Sequence, residues 1–256
     1  QTTCDVADPG YYVELTGQSS QTACLAGSYN ANAGSKSSTD CISASVGHYV
    51  ALSAQTTQTE CPTGTYQPAT GQSSCINASA GYYVALSTQT TQTECLAGTY
   101  QPASGQSSCI DADTGHYVAS TGQSTQKECL AGTYQENTGQ SYCDNSDIGH
   151  YVPTSGQSTQ TPCSAGTYQS ASGQTSCIEA DEGYYVDGDA ATSQTACGEG
   201  SNSVGTGSSD ASECIDDKED KLKIIVILPI FLIIILIMLI IFFLVMGTKE
   251  EDDEEE

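Results

Sequence analysis

Thirteen cysteines are the residues of this chain best suited to chemistry: Cys4, 24, 41, 61, 75, 95, 109, 129, 143, 163, 177, 197 and 214. Counted along the chain, the gaps between them run 20, 17, 20, 14, 20, 14, 20, 14, 20, 14, 20 and 17. No C-x-x-C pair occurs, so the short ligand spacing of zinc knuckles and thioredoxin-like redox sites is absent. Wide, regular spacing points to structural disulfides, which form and persist in oxidising compartments. Neighbouring cysteines could pair across the 14- and 17-residue gaps, leaving Cys4 over, or across the 20-residue gaps, leaving Cys214 over. Loop-closure entropy separates the two schemes by only about 0.3 kcal/mol and does not decide between them.

Around the cysteines the chain repeats. One short gap and one long gap together make the main period, thirty-four positions in length, and each period has two halves. The short half reads C-x-x-G-T-Y-Q-x-x-x-G-Q-[ST]-x-C, as in Cys61–Cys75 and Cys95–Cys109. The long half reads C-x5-G-[YH]-Y-V-x7-Q-x-x-C and occurs six times without a length change. Both halves run Gly, any residue, Tyr and often Gly-Gln-Ser, as in Gly98-Thr99-Tyr100 with Gly105-Gln106 and Gly115-His116-Tyr117 with Gly122-Gln123. A half of about seventeen residues is therefore the candidate elementary rung.

Each rung predicts a small β-turn-β element. Gly-x-Tyr opens a short strand, the second Gly supplies a turn position with positive φ, and a polar Gln-Ser-Thr segment returns. Between residues 95 and 128 the larger apolar side chains are Leu96, Tyr100, Ile110, Tyr117 and Val118. These are too few to offset the ordering of so many residues, so the unit needs cross-links and stacking partners. The fold class expected is small disulfide-rich all-β repeats, short hairpins stacked into an elongated rod, with one C-terminal transmembrane α-helix. The end copies Cys24–Cys41 and Cys197–Cys214 are three residues longer than the inner short halves, and Asn202 stands where the last would have its tyrosine. Atypical end copies suit caps, and for Cys24–Cys41 simple divergence is the alternative.

The stretch C-P-T-G-T-Y…C at Cys61–Cys75 resembles the cysteine-rich repeat named for ephrin receptors, and the first-disulfide module of tumour-necrosis-factor receptors. The likeness covers residues 4 to 214 and lies mostly in the short half. It implies the pairs Cys24–Cys41, Cys61–Cys75, Cys95–Cys109, Cys129–Cys143, Cys163–Cys177 and Cys197–Cys214, with Cys4 unpaired. The long half departs from those families, which usually carry closely spaced extra cysteines there. Gln1 is not an initiator Met and Cys4 lacks a partner, so a C-terminal part of a longer protein is expected, with a signal peptide and further repeats upstream.

Positions 224 to 246 form an uncharged, apolar run of twenty-three. A helix of that length spans about 35 Å, enough to cross a bilayer core of about 30 Å with some tilt. The predicted organisation is repeats over 1–216, a juxtamembrane linker over 217–223, a transmembrane helix over 224–246 and an acidic tail over 247–256. Lys218, Lys221 and Lys223 precede the run and Lys249 follows it. That bias alone would keep the repeats in the cytosol. Disulfides require the opposite, and charge bias weakens for long translocated domains. The expected placement is a single pass through the cell membrane, repeats extracellular and tail cytoplasmic.

The chain carries 31 Asp and Glu against six Lys and no Arg, a formal charge of −25. Such a chain lacks the basic groups that phosphate contacts need, which excludes nucleic-acid binding. Asp111, Asp113, Asp181, Glu182, Asp187 and Asp189 carry charge that would suit calcium, but no EF-hand or nonapeptide spacing supports it, and solvated loop acids are the plainer reading. His48, His116 and His150 share a slot with Tyr11, Tyr82 and Tyr184, which marks a half-exposed packing position rather than a ligand or base. The tyrosines are expected to pack on the disulfides. Asn77-Ala78-Ser79 is a glycosylation sequon. No nucleophile–base pair, phosphate loop or recurring acid pair is present, and no cofactor is implied. The reading is a non-enzymatic surface protein whose repeats act as a stalk or adhesive rod. The resemblance also admits a ligand-binding receptor ectodomain that binds an extracellular protein or glycan and signals through a partner.

Overall fold

A computed structural model describes residues 6–203, 205–216 and 230–241. Among these the chain forms twelve two-stranded antiparallel sheets, each a hairpin closed on itself. Most strands are two residues long. In the short half Thr99–Tyr100 pairs with Ile110–Asp111, and in the following long half His116–Tyr117 pairs with Lys127–Glu128. The same register recurs, so the seventeen-residue half is the structural rung. The returning strand falls after the second cysteine in the short half and after the glutamine of Q-x-x-C in the long half, not on the Gln-Ser-Thr segment where the pattern placed it. That segment instead forms bends between the two strands. An isolated hairpin of this size is marginal in water and needs neighbours.

Contacts divide the chain into two units, Gln1–Asn145 with Val152–Gln160 and Ser146–Tyr151 with Thr161–Glu256. In the first unit consecutive rungs are joined by backbone bonds outside the hairpins. Gly98 N–H donates to Val118 O at 2.8 Å, Gln101 N–H to Gln123 O at 3.1 Å, and Gly122 N–H returns a bond to Cys95 O at 2.8 Å. The second unit repeats the scheme: Gly166 N–H donates to Val186 O at 2.9 Å, Gln169 N–H to Ala191 O at 3.0 Å, and Ala190 N–H to Cys163 O at 2.7 Å. Amides that a two-residue strand leaves unpaired are thereby used by the next rung.

The interior is narrow. Its first column alternates cysteine and a small residue: Cys61, Ala78, Cys95, Ala112 and Cys129 in the first unit, Ser146, Cys163 and Ala180 in the second. Its second column alternates valine and glutamine, as in Val84, Gln101, Val118 and Gln135. Of the five larger apolar side chains between 95 and 128, only Val118 is buried. Leu96 and Ile110 are exposed, and Tyr100 and Tyr117 are half-buried. Backbones lie so close across each rung that Cys, Ala, Ser and one Val, Gln or Asn fill the space between them.

Where a glycine holds the turn, its φ is positive, such as 73° at Gly105. In three rungs a different residue holds that slot with φ still positive: Ala54 at 63°, Thr88 at 62° and Ala190 at 56°. For a β-branched residue this is a strained backbone. Thr88→Gly is therefore expected to stabilise the protein by about 1 kcal/mol, read as a rise in the urea midpoint at unchanged m-value.

The two longer short halves have three extra residues, which form 3-10 turns at Ser38–Asp40 and Ala211–Glu213. Ser37 and Asp40 cap the first reciprocally, Ser37 Oγ accepting from Thr39 N–H. In the second, Ser212 N–H donates to Asp210 Oδ1 at 2.6 Å, which holds that carboxyl below the usual carboxylate range. Cys24–Cys41 is not an end copy, because Tyr11–Tyr12 and Thr22–Ala23 form a complete hairpin before it.

Residues 230–241 are helical, and their apolar side chains are exposed. No helix among the described residues is long and apolar enough to cross a membrane. The remainder of the 224–246 run, the linker over 217–223, the tail over 247–256 and Cys4 lie outside the described residues.

Candidate functional site

Six disulfides join Cys24–Cys41, Cys61–Cys75, Cys95–Cys109, Cys129–Cys143, Cys163–Cys177 and Cys197–Cys214. These are the pairs that the receptor-like resemblance implies. Each links the entry of one short rung to the start of its returning strand, so it closes a single hairpin. The Cα–Cα separations are 5.6 to 5.7 Å, within the range an unstrained bridge spans.

The long rungs solve the same problem without sulfur. At the slot of the second cysteine stands the glutamine of Q-x-x-C. Gln126 Oε1 accepts the Asp113 N–H at 2.7 Å, and Gln126 Nε2 donates to Asp113 Oδ2 at 2.6 Å. Gln194 makes the same two bonds to Asp181, at 2.7 and 2.6 Å. Gln21 does so with Asp8, both at 2.8 Å. Where the acid is replaced by serine only the backbone bond remains, as in Ser45 N–H to Gln58 and Ser79 N–H to Gln92, both 2.7 Å. Disulfide and glutamine staples therefore alternate along the repeat. Asp113 and Asp181, weighed above as calcium-binding candidates, are staple acceptors.

A second glutamine serves the short rungs from within. Gln101 is buried, donates through Nε2 to Ser108 O at 2.7 Å and accepts from Ala103 N–H at 3.1 Å. Gln67 and Gln169 repeat both bonds. A buried amide satisfied at both ends fixes the loop without an unpaired group, and no buried side-chain polar atom lacks a partner among the described residues.

The remaining candidates do not converge. Asp111 and Asp187 are exposed, Asp189 accepts the Ala165 N–H at 3.3 Å, and Glu182 accepts from Asn202 at 3.5 Å. Among the described residues no three His, Cys, Asp or Glu groups gather to hold a metal ion. His48, His116 and His150 are half-buried, and each sets Nδ1 against a backbone carbonyl two residues earlier, at 3.1 to 3.3 Å. Tyr11 and Tyr82 share that half-buried state, and Tyr184 is exposed. Asn77 is exposed on the returning strand Ile76–Asn77, between Ile76 and the buried Ala78.

Tyr82 stands opposite Glu94 across its hairpin and donates its hydroxyl to Glu94 Oε1 at 3.2 Å. The Glu94 charge, and then this bond, raise the Tyr82 pKa above the ordinary 10.0. The raised value means that the contact is intact below about pH 10 and is lost as pH climbs through the folded-state pKa. Glu94→Gln is expected to return the Tyr82 titration toward the ordinary tyrosine value, followed by NMR or ultraviolet absorbance. An unshifted titration in the variant would contradict this pairing.

The comparisons with known proteins follow the same geometry. No curated protein matches the chain. A family model described as tyrosine-protein kinase ephrin type A/B receptor-like matches residues 149–197, a stretch that contains the Cys163–Cys177 hairpin. The bridged hairpin repeat of this chain is similar to the ephrin-receptor-like cysteine-rich repeat.

Proposed function

We propose that this is a non-enzymatic cell-surface protein, with an extracellular repeat region acting as a stalk or adhesive rod and a single transmembrane helix over 224–246 as its anchor. The observation that carries the reading is the uniform rung. Six rungs are held shut by a disulfide and five by a glutamine, and among the described residues no group of three His, Cys, Asp or Glu gathers beside them. Disulfides in six rungs favour an oxidising compartment. Residues 230–241 are apolar on all faces, as suits a helix surrounded by lipid. Each 34-residue period would add about 20–25 Å of reach, from short strands of about 3.3 Å rise per residue.

Expression of the full chain in secretory cells tests this reading. The repeats are expected to be reached by a membrane-impermeant label, and Asn77 to carry a glycan that Asn77→Gln removes. Deletion of 224–246 is expected to release the protein into the medium. Repeats sealed from the label, with Asn77 unmodified, would contradict the reading.

The match of 149–197 to the ephrin-receptor-like model favours a second reading, a ligand-binding receptor ectodomain that signals through a partner. Under that reading one repeat binds and its deletion abolishes function. Under the stalk reading, deleting any one 34-residue period shortens the reach and leaves function graded.

A further inference from the structure

The fold leaves the leucines of the repeat region in water. Leu25, Leu52, Leu86, Leu96 and Leu130, all in the first unit, are 67 to 74 % exposed. Single exposed leucines are ordinary on a protein surface. These recur in fixed slots. Leu25, Leu96 and Leu130 each follow the buried first cysteine of a short rung, the slot that Pro62 takes between them. Leu52 and Leu86 occupy one slot of the long rungs.

The ladder brings the two slots together. Cys24 O accepts from Ala54 N–H at 2.8 Å, and Cys61 O from Thr88 N–H at 2.9 Å. Leu25 is one residue from the first acceptor and Leu52 two from its donor. Pro62 and Leu86 stand in the same relation across the second bond. A carboxylate accompanies each later step. Glu60, Glu94 and Glu128 lie two residues before Pro62, Leu96 and Leu130, with a buried cysteine between. Acid and apolar group flank one buried cysteine and are both exposed, so both lie on the outer surface of the rung.

The acids are held in place. Glu94 accepts from Thr121 Oγ1 at 2.8 Å and Glu128 from Ser155 Oγ at 3.0 Å, in each case 27 residues further on, and Glu60 accepts more distantly from Ser87. Hydroxyl donors fix a carboxylate without neutralising it. The face therefore repeats a fixed negative charge beside an exposed apolar side chain in three consecutive periods, at Glu60 and Pro62, Glu94 and Leu96, and Glu128 and Leu130.

We infer that this Glu/Leu face is a docking surface for a cationic protein segment that also carries apolar side chains. Charge selects the occupant. A second copy of this chain brings a charge of −25 with six Lys and no Arg, and would be repelled. A basic segment gains long-range attraction, and its apolar groups cover the leucines. The inference names the partner class for the extracellular region proposed above. Binding is read on isolated protein and topology in cells, so either can fail while the other stands.

The test uses the full chain in zwitterionic lipid nanodiscs, with empty nanodiscs as blank. The probes are the ten-residue peptides (Lys-Leu)5 and (Lys-Ser)5 in calorimetric or fluorescence titrations. The first is expected to bind at least tenfold tighter than the second. The triple variant Leu25→Ser, Leu96→Ser, Leu130→Ser should lose that tenfold. Glu60→Gln, Glu94→Gln, Glu128→Gln should weaken (Lys-Leu)5 several-fold more than removal of three acids in other slots, by Glu136→Gln, Asp187→Asn and Glu199→Gln. All the substituted sites are exposed, so unchanged circular dichroism and melting temperature will show that the variants fold. Equal binding of the two peptides, affinity indifferent to the leucines, or equal effects of the two acid triplets would overturn the inference. So would a dimer in sedimentation that the leucine variant dissolves, since the face would then belong to a second copy.

Discussion

Gly98→Ala is expected to destabilise the protein by about 3 kcal/mol or more. Two effects combine at this position. Gly98 has a φ of 88°, where an L-residue costs about 1–2 kcal/mol. A Cβ there would also overlap the backbone carbonyl oxygen of Gly139, two rungs on. That carbonyl belongs to a turn whose amide is committed to Ala112 O at 2.8 Å, so it cannot withdraw without breaking the ladder. Gly17 supplies the control. Its φ is 85°, but nothing lies within 4 Å of the added methyl. Gly17→Ala should lose only the conformational part, about 1 kcal/mol. Urea titrations of the two variants separate close approach from backbone preference. Equal losses would mean that the rungs stack more loosely than described.

The second large effect concerns the two kinds of staple. Cys95→Ser with Cys109→Ser opens a loop of 14 residues, which loop-closure entropy values at about 3 kcal/mol. Gln126→Ala in the next rung removes two hydrogen bonds to Asp113, both exposed, and is expected to cost about 1 kcal/mol. The short rungs should therefore act as clamps from which the long rungs borrow order through the ladder. In a stacked array, stability is close to a sum of rung and neighbour terms, so the damage from either change should concentrate in adjacent rungs. Amide hydrogen exchange reads this directly. Loss of the Cys95–Cys109 bridge should deprotect the Gly115 and Gly122 amides, whose partners lie in neighbouring rungs, while Gly27 stays protected.

Much of this was legible from spacing. Cysteine gaps of 14 and 20, with Gly-x-Tyr opening each half, define the seventeen-residue rung and its positive-φ turn. The returning strand was not, because two-residue strands such as Ile110–Asp111 carry no alternation that a sequence pattern can show. Burial was not legible either, for a related reason. Leu96 and Ile110 are among the larger apolar side chains of their rung, yet the space between backbones admits only Cys95, Ala112, Val118 and Gln101. Size therefore excludes the residues that hydrophobicity alone would choose. The glutamine staple left one signal, the unvarying Gln of Q-x-x-C at 21, 58, 92, 126, 160 and 194. Its slot is that of the second cysteine once the halves are superposed. Nothing in polarity distinguishes Gln126 from the many other polar residues around it.

One measurement reaches the claim on which the rest stands, that cross-links and a backbone ladder replace a conventional apolar interior. Hydrogen exchange of the full chain is followed before and after complete reduction and capping of the thiols. Protection is expected to fall across the short rungs first and then the long rungs between them, with the ladder amides of Gly98, Gln101 and Gly122 among those released. Unchanged protection at those amides in the fully reduced protein would contradict the account.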